Sequence, residues 1–232
     1  MTARHTITRA DEVYVGDVVK NGYAIQGRAG IKLDVLKHID LGSPVTADAD
    51  GIVDGAASVT NATVTLTTGD LLLTTLDAPR NLTYVGGATT VTQVVTAIGT
   101  DVYGEAMTEA VTMNGTTTVL GNKAFSGVSS VVIAPGDGTV DVGFGTKLGL
   151  PFRVSSNAQI VGGLLYVDNV VNTTAVVVTG LATTVVSTAG AGDVRGTVVS
   201  TGSLPNGTRR YTLTVNMTDF SEKTTVFGVD QA

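Results

Sequence analysis

The chain has 232 residues, of which 43% are hydrophobic and 15% charged, enough to bury a core without a metal or a disulfide. It contains no cysteine, which excludes a disulfide framework, a thiolate metal site and a cysteine nucleophile. Fourteen Lys and Arg against twenty Asp and Glu leave a net charge of -6, so binding built on neutralised phosphates is disfavoured and no nucleic-acid partner is expected.

Residues 1–45 are the most mixed and the most charged, and read as an N-terminal arm or attachment region. Met1–Glu12 has early basic residues but no apolar run, so no signal peptide is expected. Glu12–Lys20 can alternate as a strand. In Ile31–Ile39 the alternation Ile31/Leu33/Val35 favours a strand over the helical spacing Val35/Leu36/Ile39.

From Ala57 onward the pattern is β, with short runs at Val64–Leu66, Leu71–Leu73, Leu82–Val85, Val91–Ile98, Ala106–Met113, Thr117–Leu120, Val128–Ile133 and Thr139–Val142. Turn signals separate them at Thr68–Asp70, Asp77–Pro79, Gly86–Gly87, Val102–Gly104, Asn114–Gly115 and Pro135–Gly138. Asn114–Gly115 is the strongest of these, because both residues tolerate the positive φ of a type I′ hairpin. Pro151, in Gly149–Phe152, lacks a backbone donor and marks the best internal boundary.

Further strands are expected at Gln159–Leu165, Tyr166–Val170, Thr174–Val178, Thr183–Ser187, Val194–Ser200, Arg209–Asn216 and Thr224–Val229. The Val- and Thr-rich tract 170–201 is too rich in Val for disorder. Its apolar stretches, such as Thr174–Val186, are broken by Thr and Gly, so no membrane helix is expected.

The fold expected is all-β: an antiparallel sandwich or jelly-roll-like domain over 46–150 with the arm at 1–45. Residues 151–232 form either a second small β subdomain or return strands of the same sandwich. Few charges guard the strand edges, which suits edges covered by partner subunits.

Motifs for chemistry are weak. Asp48-Ala-Asp50-Gly51-Ile-Val-Asp54 has the carboxylate density of a cation loop, but an EF-hand starting at Asp48 needs its bidentate acid at position 59, which is Val59. His5 and His38 have no partner at ligand spacing. Gly143–Gly149 and Gly190–Gly196 lack phosphate-loop spacing and read as turns. A G-x-S-x-G elbow is missing, and the carboxylate pairs Glu105/Glu109 and Asp137/Asp141 are of a kind any hairpin supplies. No catalytic residue, metal or cofactor is expected.

One segment carries a resemblance. Gly99-Thr100-Asp101, Tyr103-Gly104, Met107, Glu109, the Asn114-Gly115-Thr116 turn and Gly121-x-Lys123-Ala124-Phe125 resemble a recurring segment of tailed-bacteriophage virion structural proteins that accompany the major capsid protein. A second foothold is Gly192-Asp193-Val194-Arg195-Gly196 ahead of Pro205–Val215.

The resemblance implies a non-enzymatic head decoration or cement protein that binds the major capsid protein on the outside of a phage capsid, made in the bacterial host cytoplasm. It also implies a homo-oligomer, with a trimer favoured because such proteins commonly sit on local three-fold axes. Arg4, His5 and Arg9 are the expected capsid contacts. The alternatives are a tail, baseplate or head-fibre subunit, or an adhesive β module for the host surface. The lack of Trp weakens sugar binding by the last of these.

Overall fold

A computed structural model describes residues 35–154, 156–160, 165–180, 192–217 and 231. Arg4, His5, Arg9 and the expected strands Glu12–Lys20, Thr183–Ser187 and Thr224–Val229 lie outside the described residues, as does the start of Ile31–Ile39.

The described residues are all-β, in antiparallel sheets of which the larger curls into a half-barrel. That sheet runs β11 (Val176–Thr179), β12 (Gly196–Val199), β8 (Thr139–Gly149), β4 (Thr75–Gly86), β7 (Val119–Ile133), β5 (Val94–Thr100), β6 (Ala106–Thr112). Two further strands make it fork. Along one edge of β8, β12 takes Lys147–Gly149 and β2 (Asp48–Ala57) takes Thr139–Phe144. Along one edge of β7, β4 takes Val119–Gly127 and β3 (Val64–Thr67) takes Ser130–Ile133. The smaller sheet runs β1 (Val35–Gly42), β13 (Tyr211–Met217), β9 (Leu165–Val167), β10 (Val170–Asn172). Part of the expected arm is therefore a strand, since β1 pairs with β13 from Val35 to Gly42.

Alternation explains which faces are buried. In β5, Val95, Ala97 and Gly99 point inward; in β6, Met107 and Glu109 do so. Val95, Ala97 and Met107, with Leu82, Tyr84, Phe125 and Phe144, fill one core inside the curl. A second core lies against the smaller sheet, around Ile39, Leu165, Leu213 and Val215, and includes Leu148 and Val198 of the larger one. β8 thus serves both cores, and Leu150 and Val154 of the boundary segment are buried in the second. Burial of each large apolar side chain contributes about 1.5–3 kcal/mol.

Several expected turns are placed differently. Asp77–Pro79 lies inside β4 as a bulge: from Thr75 to Arg80 that strand advances further than β7 does from Gly127 to Phe125. Leu71–Leu73 is a loop, of which only Leu71 is buried. At Asn114–Gly115, Thr117 N donates to Asn114 O at 3.1 Å and Gly115 has φ +58°, so the central residues are Gly115 and Thr116. That turn does not join neighbouring strands, because β5 lies between β6 and β7. Among the described residues, the two-residue hairpin with positive φ at both positions is Asp168–Asn169 (52° and 65°), between β9 and β10.

Candidate functional site

Residues singled out for possible chemistry are dispersed. On β2, Asp50 has its pKa raised by the hydrogen bond with Asp48 and by the charges of Asp48 and Asp54. Among the described residues, no three His, Asp or Glu side chains are grouped to hold a metal ion. His38 is exposed on β1, with Nδ1 3.3 Å from Thr214 Oγ1. Asp137 accepts from Thr60 Oγ1 (2.9 Å) and Asp141 from Gly55 N (2.6 Å), so each of that pair has its own partner. Gly143–Gly149, expected as a turn, lies within β8. Its glycines make room for neighbours: a Cβ at 143 would stand 1.9 Å from Asp48 O, and one at 149 would stand 2.5 Å from Ala124 Cβ.

What the fold brings together instead is a buried polar network built from the two segments that carry the resemblance. Asp101 and Arg195, 94 residues apart, form an ion pair whose side chains are 0% and 2% exposed. Asp101 Oδ1 also accepts from Tyr103 N (2.7 Å) and Glu105 N (3.0 Å), holding the β5–β6 loop in shape. The Arg195 guanidinium lies 5.3 Å from the Tyr103 ring centroid, a cation–π contact, and the Tyr103 hydroxyl donates to Pro151 O at 2.5 Å. Next to Arg195, Asp193 accepts from Ala124 N (3.1 Å) and Arg195 N (2.8 Å). Burial raises the Asp193 pKa, opposed by the Arg195 charge and these N–H groups.

Glu109 organises the other half. Its Oε1 accepts from Asn122 N (2.6 Å) and Lys123 N (3.1 Å), while burial raises its pKa against those bonds and the charges of Lys123 and Lys147. Burial lowers the Lys147 pKa, opposed by Glu109, and its ammonium donates to Gly121 O at 3.0 Å. The Tyr84 hydroxyl faces Glu109 without a well-formed hydrogen bond; burial and then that carboxylate push the phenol pKa well up. Lys123, wholly buried, donates from Nζ to Thr108 O (2.6 Å) and to Gln231 O (2.5 Å). Gln231 is pinned further: its backbone bonds to Ala106 and Thr108 of β6, and its Oε1 accepts from Val194 N (3.2 Å).

A glutamate with raised pKa beside a phenol is a pairing used in acid–base catalysis. Here Glu109 is 1% and Tyr84 0% exposed, so a substrate reaches neither unless the sheet opens. The described interactions run within the chain and tie β6, β7, the 192–196 segment and Gln231 into one unit. Sequence parity carried a signal for part of it: Glu109 shares an inward face with Met107 and Val111, and Lys123 shares one with Gly121 and Phe125. Lys147 and Gln231 carry no such mark.

A second polar centre is Arg80, beside Phe144 (4.9 Å to the ring centroid) and bonded to Asp77 Oδ1 (3.1 Å) and Val45 O (2.5 Å); burial lowers its pKa, opposed by Asp77. An open cavity of about 320 Å³ beside the β9–β10 turn is lined by Asp168, Asn172, Ser203 and Arg209 among others. The Arg209 guanidinium there donates to Leu204 O at 2.8 Å.

No family model, no curated protein and no solved structure matches the chain.

Proposed function

We propose that the chain is a non-enzymatic virion structural protein of a tailed bacteriophage: a head decoration protein that lies on the outer capsid surface and bridges neighbouring subunits of the major capsid protein. The observation that carries this reading is the convergence of both resembling segments on one buried network, Asp101–Arg195 and Glu109–Lys123. The residues behind the resemblance act as internal fastenings, as a shell component under outward pressure needs, and not as an exposed reactive centre. The net charge of -6 supports a place outside the shell, away from packaged DNA.

In this role the protein adds interface across capsid subunits, opposing the outward pressure of packaged DNA. A contact of standard size, about 1,600 Å² in total, suffices for a stable bond. Arg4, His5 and Arg9 are the proposed capsid contacts, and a homotrimer on local three-fold axes is the proposed assembly.

The test is binding to capsids. The full chain should co-sediment with expanded capsids of its phage and appear as outer density by cryo-electron microscopy, and deletion of residues 1–12 should weaken attachment while leaving the far-UV CD spectrum and cooperative melting nearly unchanged. Density on the tail, baseplate or a head fibre would refute the decoration role. Unaltered occupancy by the truncated chain would refute the arm contacts.

A further inference from the structure

The outer face of the half-barrel carries a second kind of information. Strands β3, β7, β5 and β6 lie side by side there, and their register fixes which outward side chains stand abreast. Ala110, Thr96, Val132 and Thr65 form one row across all four strands. The next row runs through Ile98 and Ser130, and Val94 opposite Thr112 begins a third. Across residues 64–67, 94–100, 106–112 and 128–133 the one charged residue is Glu109, which points inward. Val94 is 40% and Ile98 38% exposed, so the apolar members of this face are open to solvent.

We infer that this uncharged face is where two copies of the chain meet. The choice of occupant follows from charge and from size. Two copies, each of net charge -6, repel at long range, and they meet with least added repulsion through a face that brings no carboxylates together; this face is neutral over four strands. A basic partner would find no carboxylate there. It would be drawn to the exposed Asp48, Asp50 and Asp54 of β2 instead. Short, β-branched side chains also let the two sheets pack at the usual separation of about 10 Å with little rotamer entropy to lose.

Strand spacing of about 4.8 Å and a same-face repeat of about 6.8 Å give the positions of these rows, four strands wide in two rows and two strands wide in the third, an area of roughly 330 Å² on each copy. That is less than half of the roughly 800 Å² that a standard stable interface buries per partner. The contact is therefore weak between free chains and becomes occupied when copies are held at an effective concentration of about a millimolar on a shared support. Because the face meets itself, the contact is two-fold and isologous, with Thr96 and Val132 of the two middle strands at its centre. It can pair two chains, or two rings built through other surfaces. This inference does not depend on the capsid reading, and it is tested without capsids.

The experiment is sedimentation equilibrium of the full chain from about 10 μM to about 1 mM, a range that brackets a weak contact. The weight-average mass should rise with concentration for the wild type. Thr96→Lys should abolish that rise while keeping the CD spectrum and melting temperature, and Thr173→Lys, exposed beside β10, should leave it intact. The natural chain has no cysteine, so Val132→Cys provides an independent readout: a short bifunctional thiol reagent should link two copies of it efficiently, and two copies of Thr173→Cys poorly. A mass that does not change with concentration in the wild type would overturn the inference. So would a Thr96→Lys curve identical to wild type, or equal cross-linking of the two cysteine variants.

Discussion

Lys123 Nζ donates to the carbonyl of Gln231 at 2.5 Å, across 108 residues of chain. Both residues are wholly buried, so the bond is a fastening between the middle of the sheet and the end of the chain. It makes Gln231 an extra parallel partner on β6, whose other edge is held by β5.

Removal of Gln231 and Ala232 takes away an acceptor from a buried ammonium, the acceptor of Val194 N, and the partners of Ala106 O and Thr108 N. Leaving such groups unpaired costs about 1–3 kcal/mol each before relaxation or water entry. The truncated chain should lose about 2–4 kcal/mol in urea denaturation. Gln231→Ala, which keeps the backbone bonds, should lose about 1 kcal/mol. Equal stability of all three proteins would show that the fastening contributes nothing.

The Asp101–Arg195 pair should behave as a coupled unit. Arg195→Met strands a buried carboxylate and should cost about 3–5 kcal/mol. Asp101→Asn keeps an oxygen for Tyr103 N and Glu105 N, so its cost comes from the ion pair alone. The double variant should be more stable than the sum of the two single losses implies, by more than about 1 kcal/mol. Additive losses would mean that the charges act independently.

Period-two alternation made the strands legible, as in Val95/Ala97 and Met107/Glu109, and with them the all-β class. Close backbone approach was not legible: the glycines of β8 read as a turn because a sequence does not display the β2 backbone that fills the space above Gly143. The Asn114–Gly115 turn was seen but given the wrong central residues. Its geometry is set at long range, by Gly86 N donating to Gly115 O (2.9 Å) and Gly115 N donating to Val91 O (2.8 Å). Asp168–Asn169 was missed because neither residue is the glycine that usually marks a type I′ turn. In the polar network, inward parity marked Glu109 and Lys123, whereas the partners Arg195 and Gln231 come from distant segments that no local pattern links to them.

Glu109 gives the network a pH dependence whose sign follows from its burial. Its folded pKa is raised, chiefly by burial, so between the ordinary carboxylate range and that raised value the folded chain holds more protons than the unfolded one. The stability it contributes is complete below the ordinary range and is lost as pH rises through the raised value. Glu109→Gln removes this loss while keeping an oxygen for Asn122 N and Lys123 N. The melting temperature of Glu109→Gln relative to wild type should therefore rise from pH 4 to pH 8. Asp193, also raised by burial, is common to both proteins and cancels in the difference. A difference that falls with pH would mean that the lysine charges outweigh the burial.

Gly121 is required by Glu109 and not by its own backbone conformation. A Cβ there would stand 2.3 Å from Glu109 Oε2 and 3.2 Å from Leu82 O, so an alanine must displace the carboxylate or strain the β4–β7 pairing. Displacement breaks the bonds to Asn122 N and Lys123 N, so the carboxylate has little freedom to yield. Gly121→Ala should cost about 1–3 kcal/mol, the usual range for overpacking. In a Glu109→Ala background the nearer obstacle is gone, and the same substitution should cost less by about 1 kcal/mol or more, leaving only the approach to Leu82 O. Urea denaturation of the wild type, the two single variants and the double variant measures this coupling. An unchanged cost in the Glu109→Ala background would trace the requirement for glycine to the backbone of β4 and remove Glu109 from the explanation.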